Sequence, residues 1–176
     1  GYKKALPLLI NGLEKLEYRG YDSAGIAIIN SENNCISCKK AEGKLNNLKS
    51  NLNDHNIPGT VGIGHTRWAT HGKPEVKNAH PHTDSSGNIA VVQNGIIENF
   101  QDLKNKLEEE GIIFNSDTDT EVIPHLIQRE LNTLSKLNLE NNGSTLLVAV
   151  RNVLSDLEGS YALAVLWSGA PTSLVV

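Results

Sequence analysis

His65-Thr66-Arg67-Trp68-Ala69-Thr70-His71-Gly72 stands directly after Thr60-Val61-Gly62-Ile63-Gly64, a short apolar run carrying two glycines. With His65 the run reads as a β-strand over 60–65 whose glycines let another backbone approach closely. The next stretch, residues 66–87, is polar, rich in His, Pro and Gly, and aperiodic. A segment of about twenty residues without periodicity is uncommon inside a compact domain, and such loops are usually functional.

Outward from this segment the chain is organised in blocks. Leu6, Leu9, Ile10, Leu13 and Leu16 recur at helical spacing, so a helix is expected from Leu6 to just before Gly20. Pro7 fits only in its first turn. Residues 24–29 are short and β-branched, a buried strand; 31–34 read as a turn, 36–40 as a second strand and 45–52 as a short helix. On the other side, 89–93 form an apolar strand. After Asn94-Gly95 a helix is expected over 98–110, with Phe100, Leu103 and Leu107 on one face and Gly111 at its end. The next helix starts near Asp117-Thr118-Asp119-Thr120, where Thr118 and Glu121 have capping-box spacing, and Pro124 must fall near its first turn. Ser144 is expected to cap a third helix that Gly159 closes, and strands cover 161–167 and 173–176. Helices and strands grouped this way do not make a doubly wound parallel sheet. They predict an α+β fold of antiparallel sheets with helices layered on them.

The 176 residues suit one domain, expected to cover 1–176, with 39% apolar and 20% charged side chains. The net charge of -4 comes without a basic stripe, so no nucleic-acid partner is expected. No apolar run reaches membrane-spanning length and no secretory signal opens the chain, so no membrane partner is expected and the cytoplasm is the default location. Cys35 and Cys38 form a lone C-x-x-C in what reads as a strand. With no second pair following, a structural role is expected rather than a zinc site.

Four of the six histidines lie between His65 and His82. A metal site has to be considered, because imidazole is a common ligand, but the spacing matches no metal-binding helix. No metal and no cofactor are expected; hydrogen bonds that tie the loop down explain several of these rings. Arg67 sits just past a strand end beside an aromatic residue. It is either a surface arginine or an anchor for a carboxylate, which its planar fork suits. Asp119 is either a helix cap or the receiver of an ammonium group. Together the two would recognise a free amino acid. Asn94-Gly95 is either a hairpin turn or an oxyanion cradle of side-chain amide and backbone N–H.

Five runs occur in order: Glu17-Tyr18-Arg19-Gly20-Tyr21-Asp22-Ser23-Ala24-Gly25, the 65–72 segment, Asn78-Ala79-His80-Pro81-His82, Asn94-Gly95-Ile96-Ile97-Glu98-Asn99 and Ser116-Asp117-Thr118-Asp119-Thr120-Glu121. Together they resemble the glutaminase domain of the glutamine–fructose-6-phosphate aminotransferases, which are class II glutamine amidotransferases, along the whole chain. The resemblance implies an N-terminal-nucleophile hydrolase fold, a four-layer αββα sandwich of two antiparallel sheets. It implies release of ammonia from glutamine, transferred to fructose 6-phosphate by isomerase domains outside these residues, in a homo-oligomeric enzyme. Arg67 corresponds to the arginine that binds the α-carboxylate of glutamine and Asp119 to the carboxylate that holds its α-amino group. Asn94 and Gly95 correspond to the oxyanion hole. Thr70, His71 and His80 correspond to pocket residues, Trp68 to the tryptophan gating the ammonia passage, and Arg19 to a position near the nucleophile.

In that family the nucleophile is a cysteine at residue 1, whose own α-amino group is the base. Residue 1 here is Gly1, so the resemblance implies that a first strand precedes it and that the chain is also cut after Val176. Cys35 and Cys38 fall outside every matching run. These 176 residues alone are therefore expected to release no glutamate and to bind glutamine weakly or not at all. Two rivals remain: another class II amidotransferase, such as phosphoribosyl-pyrophosphate amidotransferase or asparagine synthetase, and a non-catalytic amino-acid-binding or regulatory domain. The runs at 17–20 and 68–72 argue against the first.

Overall fold

The computed structural model describes residues 2–52, 57–68 and 73–176. Helix α1 spans Ala5–Leu16, with Pro7 in its first turn, and passes through a 3-10 turn at Glu17–Arg19. Strands β1 (Ser23–Ile29) and β2 (Ile36–Glu42) form a hairpin, followed by helix α2 (Leu45–Leu52) and strand β3 (Gly62–Arg67). The expected long loop contains a 3-10 turn at Val76–Asn78 and the short strand β4 (His82–Thr83). Then come β5 (Ile89–Ile97), α3 (Phe100–Glu109), α4 (Val122–Lys136), α5 (Gly143–Leu154) and β6 (Gly159–Trp167).

Two antiparallel three-stranded sheets result, in the orders β2-β1-β3 and β4-β5-β6. Side-chain parity stacks them. Along β1, Ala24, Ile26 and Ile28 join a core with Leu13 of α1 and Leu45 and Leu48 of α2, while Ala27 and Ile29 point the other way. Those two meet Ile63 of β3 and Ala90, Val92 and Leu166 of the second sheet. The opposite faces of β5 and β6, through Ile89, Val91, Val165 and Trp167, pack on Val122, Ile123, Leu126 and Ile127 of α4 and Leu146 and Val150 of α5. The layers therefore run helix, sheet, sheet, helix. Every residue of β1 is buried, which fits a central strand covered on both faces. Each fully buried Ile or Leu contributes roughly 1.5–3 kcal/mol of transfer free energy.

Several local expectations are corrected. Asn94-Gly95 is no hairpin turn, because β5 runs through it and pairs Asn94 with Ala162 and Gly95 with Tyr161. The Thr118–Glu121 capping box does not form, since α4 begins at Val122 without a side-chain cap. The Glu121 carboxylate instead accepts from Asn115 N (2.9 Å) and Ser116 N (2.6 Å). Asn142 rather than Ser144 caps α5, accepting from Thr145 N at 3.0 Å. Gly159 does not close α5 but opens β6 at φ 126°. Cys35 precedes β2 and is exposed, and the expected final strand is one bridge between Val165 and Val175. Strand β3 starts and ends two residues later than expected, so His65 and Arg67 lie in the sheet.

Candidate active site

The same parity that builds the core builds the site. Ile63, His65 and Arg67 alternate along β3, so all three face the second sheet. Along β5, Ala90, Val92 and Asn94 share the face that looks back. The inter-sheet core is apolar at Ile63, Ala90 and Val92 and turns polar at His65, Arg67 and Asn94. There the sheets enclose a cavity of about 630 Å³, within the usual range of small-molecule sites. Arg19, His65, Arg67, Trp68, His80, Gln93, Asn94, Gly95 and Asp119 are among its lining residues.

Arg67 is 5% exposed at the end of β3, and Nη1 donates to the Lys73 carbonyl at 3.4 Å. Burial lowers its pKa, while the carboxylates of Asp22 and Asp119 hold it up. Asp119 is equally buried, on the segment between α3 and α4. It does not cap a helix. Its Oδ2 accepts from the backbone N–H of Ile97 at 2.8 Å, and Oδ1 lies 3.4 Å from Thr120 Oγ1, whose shorter contact is with Gln93 Oε1. An ionised carboxylate has about four lone-pair sites, so accepting capacity remains towards the cavity. The segment itself is clamped from both sides. Glu121 holds the N–H groups of Asn115 and Ser116, and Asn78 Oδ1 accepts from Asp117 N at 2.8 Å. Burial pushes the Glu121 carboxyl up, but the nearby His125 ring and the hydrogen bonds from Asn115 and Ser116 outweigh it and hold the group at about 2.

Gly95 carries φ 115°, in the left-handed region where a side chain is strained, and a Cβ there would overlap the Ser160 carbonyl on β6. Asn94 beside it is solvent-accessible from the cavity, and its Oδ1 lies 2.7 Å from His65 Nε2. His80 stacks on His65 with centroids 4.4 Å apart and rings inclined by 24°; its Nδ1 accepts from Gln93 N at 3.2 Å. His80 Nε2 is 3.3 Å from Thr120 Oγ1, and His82 Nε2 is 3.1 Å from Thr118 Oγ1. Burial keeps these rings neutral. It lowers His65, takes His80 well below the ordinary imidazole range with help from His65 and His82, and pushes His82 down to about 3. Gly25 leaves room for this layer, as a Cβ there would overlap the His80 carbonyl.

Of the residues expected from sequence, Arg67, Trp68, His80, Asn94, Gly95 and Asp119 meet at one cavity. Trp68 is 58% exposed at its rim, edge-on to Tyr21 with centroids 5.4 Å apart. Thr70 and His71 lie outside the described residues. Arg19 lines the cavity from the 3-10 turn. Among the described residues no cysteine lines it, and no group of three or more His, Cys, Asp or Glu is placed to hold a metal ion. His65, Gln93 and Thr120 were not singled out as site residues. The signal for His65 was its two-residue spacing from Arg67, which puts both on one face of a strand.

The arrangement is chemically specific. A buried guanidinium and a buried carboxylate on one cavity suit a zwitterion, and an amide beside a backbone N–H suits a developing negative charge. Residues 65–176 match the family profile of the glutamine amidotransferase domain. Glutamine–fructose-6-phosphate aminotransferase (isomerizing) of Gloeobacter violaceus is 52% identical over 100% of the chain and 27% of its own length. That of Pyrococcus horikoshii is 51% identical over 100% of the chain and 28% of its own. The chain thus spans little more than a quarter of these relatives. Among solved structures, glutamine phosphoribosylpyrophosphate amidotransferase from B. subtilis, complexed with ADP and GMP, superposes with TM-score 0.75. It is 30% identical, over 96% of this chain and 34% of that one. The profile match over residues 65–176, with relatives about half identical along the whole chain, places the chain in the glutamine amidotransferase family.

Proposed function

We propose that the cavity binds L-glutamine and that its side-chain amide is hydrolysed there. Arg67 takes the α-carboxylate, Asp119 takes the α-ammonium, and the Asn94 amide and Gly95 N–H receive the oxyanion. The observation that carries this reading is the pairing of Arg67 and Asp119 on the same cavity as Asn94-Gly95. Opposite charges lining one cavity fix both ends of a free amino acid. The side chain is then presented to the Asn94 amide and the Gly95 N–H.

In this reading the nucleophile is a cysteine thiolate activated by its own α-amino group. Attack on the amide carbon puts a negative charge on the oxygen, which the two donors stabilise. Collapse expels ammonia, and water then releases glutamate from the thioester. Neither Cys35 nor Cys38 belongs to the cavity, so neither is that thiolate. Thr70, His71 and His80 serve as further glutamine-binding residues. Trp68, exposed at the rim, gates the passage of ammonia towards fructose 6-phosphate bound by further domains of a cytoplasmic homo-oligomer. Among the described residues, no helix is long and apolar enough to cross a membrane.

Kinetics of the full-length protein test the reading. Arg67→Lys removes the guanidinium fork and Asp119→Asn the carboxylate charge, each weakening a charge-assisted contact of roughly 1.5–3 kcal/mol. Each is expected to raise KM for glutamine by about ten- to a hundredfold. A KM unchanged in both variants would remove the amino-acid anchors from the account.

A further inference from the structure

An asparagine amide serves an oxyanion only in one orientation. With the NH₂ towards the cavity it stabilises negative charge; turned by 180° it presents a carbonyl oxygen and repels it. The two orientations fill the same space, so packing does not choose between them. The choice falls to the group that bonds the other end of the amide.

That group is His65. Its Nε2 lies 2.7 Å from Asn94 Oδ1, and the ring is fixed in plane by its stacking on His80. Whether Nε2 donates or accepts depends on the tautomer, and the surroundings decide the tautomer. His65 Nδ1 is buried and has no hydrogen-bond partner among the described residues. A proton there would be an orphaned buried N–H, which folded proteins almost never keep; a bare ring nitrogen is the cheaper alternative. His80 offers it nothing. The His80 Nδ1 lone pair is taken by the Gln93 N–H, so its proton is on Nε2, directed at Thr120 Oγ1. The Thr120 hydroxyl in turn donates to Gln93 Oε1 at 3.0 Å.

We infer that His65 is a positioning residue: its Nε2–H holds Asn94 Oδ1 and thereby turns the Asn94 NH₂ into the cavity. The inference rests on the proposed role of Asn94 and adds what sets its polarity. His65 touches neither substrate nor reacting atoms in this scheme. His80, Gln93 and Thr120 form a closed hydrogen-bonded set, and His65, which stacks on it, is the ring that holds Asn94.

Two measurements on the full-length protein test it. Long-range ¹⁵N–¹H correlations on ¹⁵N-histidine-labelled protein read the tautomer directly, and the Nε2–H form is expected for His65; the Nδ1–H form overturns the inference whatever the activity. In glutamine hydrolysis, His65→Leu is expected to lower kcat about ten- to a hundredfold, approaching the loss of a whole oxyanion donor, with KM within about threefold. His65→Gln, whose amide N–H can reach the position of Nε2, is expected to recover kcat to within about fivefold of the original protein. The γ-aldehyde analogue of glutamine, whose thiol adduct carries the oxyanion, should bind His65→Leu more weakly by the same factor as kcat falls. A kcat for His65→Leu within twofold of the original, or a His65→Gln as impaired as His65→Leu, overturns the inference. Should His65→Leu fail to fold, the tautomer and His65→Gln decide alone. An unsubstituted protein that hydrolyses no glutamine would instead remove the proposed role of Asn94, leaving the tautomer to stand or fall by itself.

Discussion

Acidifying the protein from pH 7.5 to 5.5 should destabilise it through the buried imidazoles. His82 is 3% exposed, beside Lys40 and within the field of Arg67, and burial above all pushes it down to about 3. The sign comes from linkage. A histidine depressed in the folded state binds its proton mainly in the unfolded chain, near the ordinary value of about 6.5. Its stabilising contribution is complete above that value and declines as pH falls from about 6.5 towards the folded pKa. Integrated between pH 7.5 and 5.5, one such group costs on the order of 1 kcal/mol. His80, well below the ordinary range for the same reason, acts with the same sign. His65 adds to this in the same direction. Against a total stability of about 5–15 kcal/mol the change is large. Glu121, held at about 2, titrates below this window and leaves it clean. Urea unfolding followed by circular dichroism at the two pH values, with linear extrapolation, measures the loss. His82→Gln should reduce that loss by on the order of 1 kcal/mol. A stability equal within error at the two pH values, or higher at pH 5.5, would refute the claim that these rings are buried and neutral.

Other perturbations test other joints of the structure. Gly95→Ala should cost roughly 1–3 kcal/mol from backbone strain alone, more once the overlap with Ser160 O parts β5 from β6, and should abolish glutamine hydrolysis; urea unfolding and glutamate release check both. Glu121→Gln weakens the clamp on the N–H groups of Asn115 and Ser116 by roughly 1.5–3 kcal/mol and, by loosening the segment that carries Asp119, should raise KM for glutamine; urea midpoints and steady-state kinetics measure the two effects. Asn142→Ala removes the cap of α5 and should cost about 1 kcal/mol in thermal unfolding with no change in KM, because α5 stays away from the cavity.

What could be read from sequence was what depends on near neighbours. Helix α2 was expected at the residues it occupies, because Leu45, Leu48 and Leu52 recur at helical spacing and all three are buried. The block order of helices and strands was enough for antiparallel sheets with helical layers. What failed depended on distant partners. Strand β5 runs past its expected end at residue 93, through Asn94-Gly95, because β6, beginning at Gly159, supplies the pairing. The Thr118–Glu121 spacing matched a capping box, yet Glu121 was recruited by Asn115 and Ser116 upstream, and Thr118 by His82 from β4. In the site, Arg67 and Asp119 were legible as unusual charges. His65 as a partner of Asn94 was not, because the contact spans two sheets and β3 was expected to end at residue 65 itself.

The central claim is that Arg67 and Asp119 read the two ends of free glutamine. Calorimetric titration of the full-length protein with L-glutamine, 4-carbamoylbutanoate, which lacks the α-amino group, and 4-aminobutanamide, which lacks the α-carboxylate, tests it directly. Each analogue should bind at least about tenfold more weakly than glutamine, and Asp119→Asn should lose most of its discrimination against 4-carbamoylbutanoate while keeping that against 4-aminobutanamide. Equal affinities for all three ligands, or discrimination unaltered by Asp119→Asn, would contradict the account.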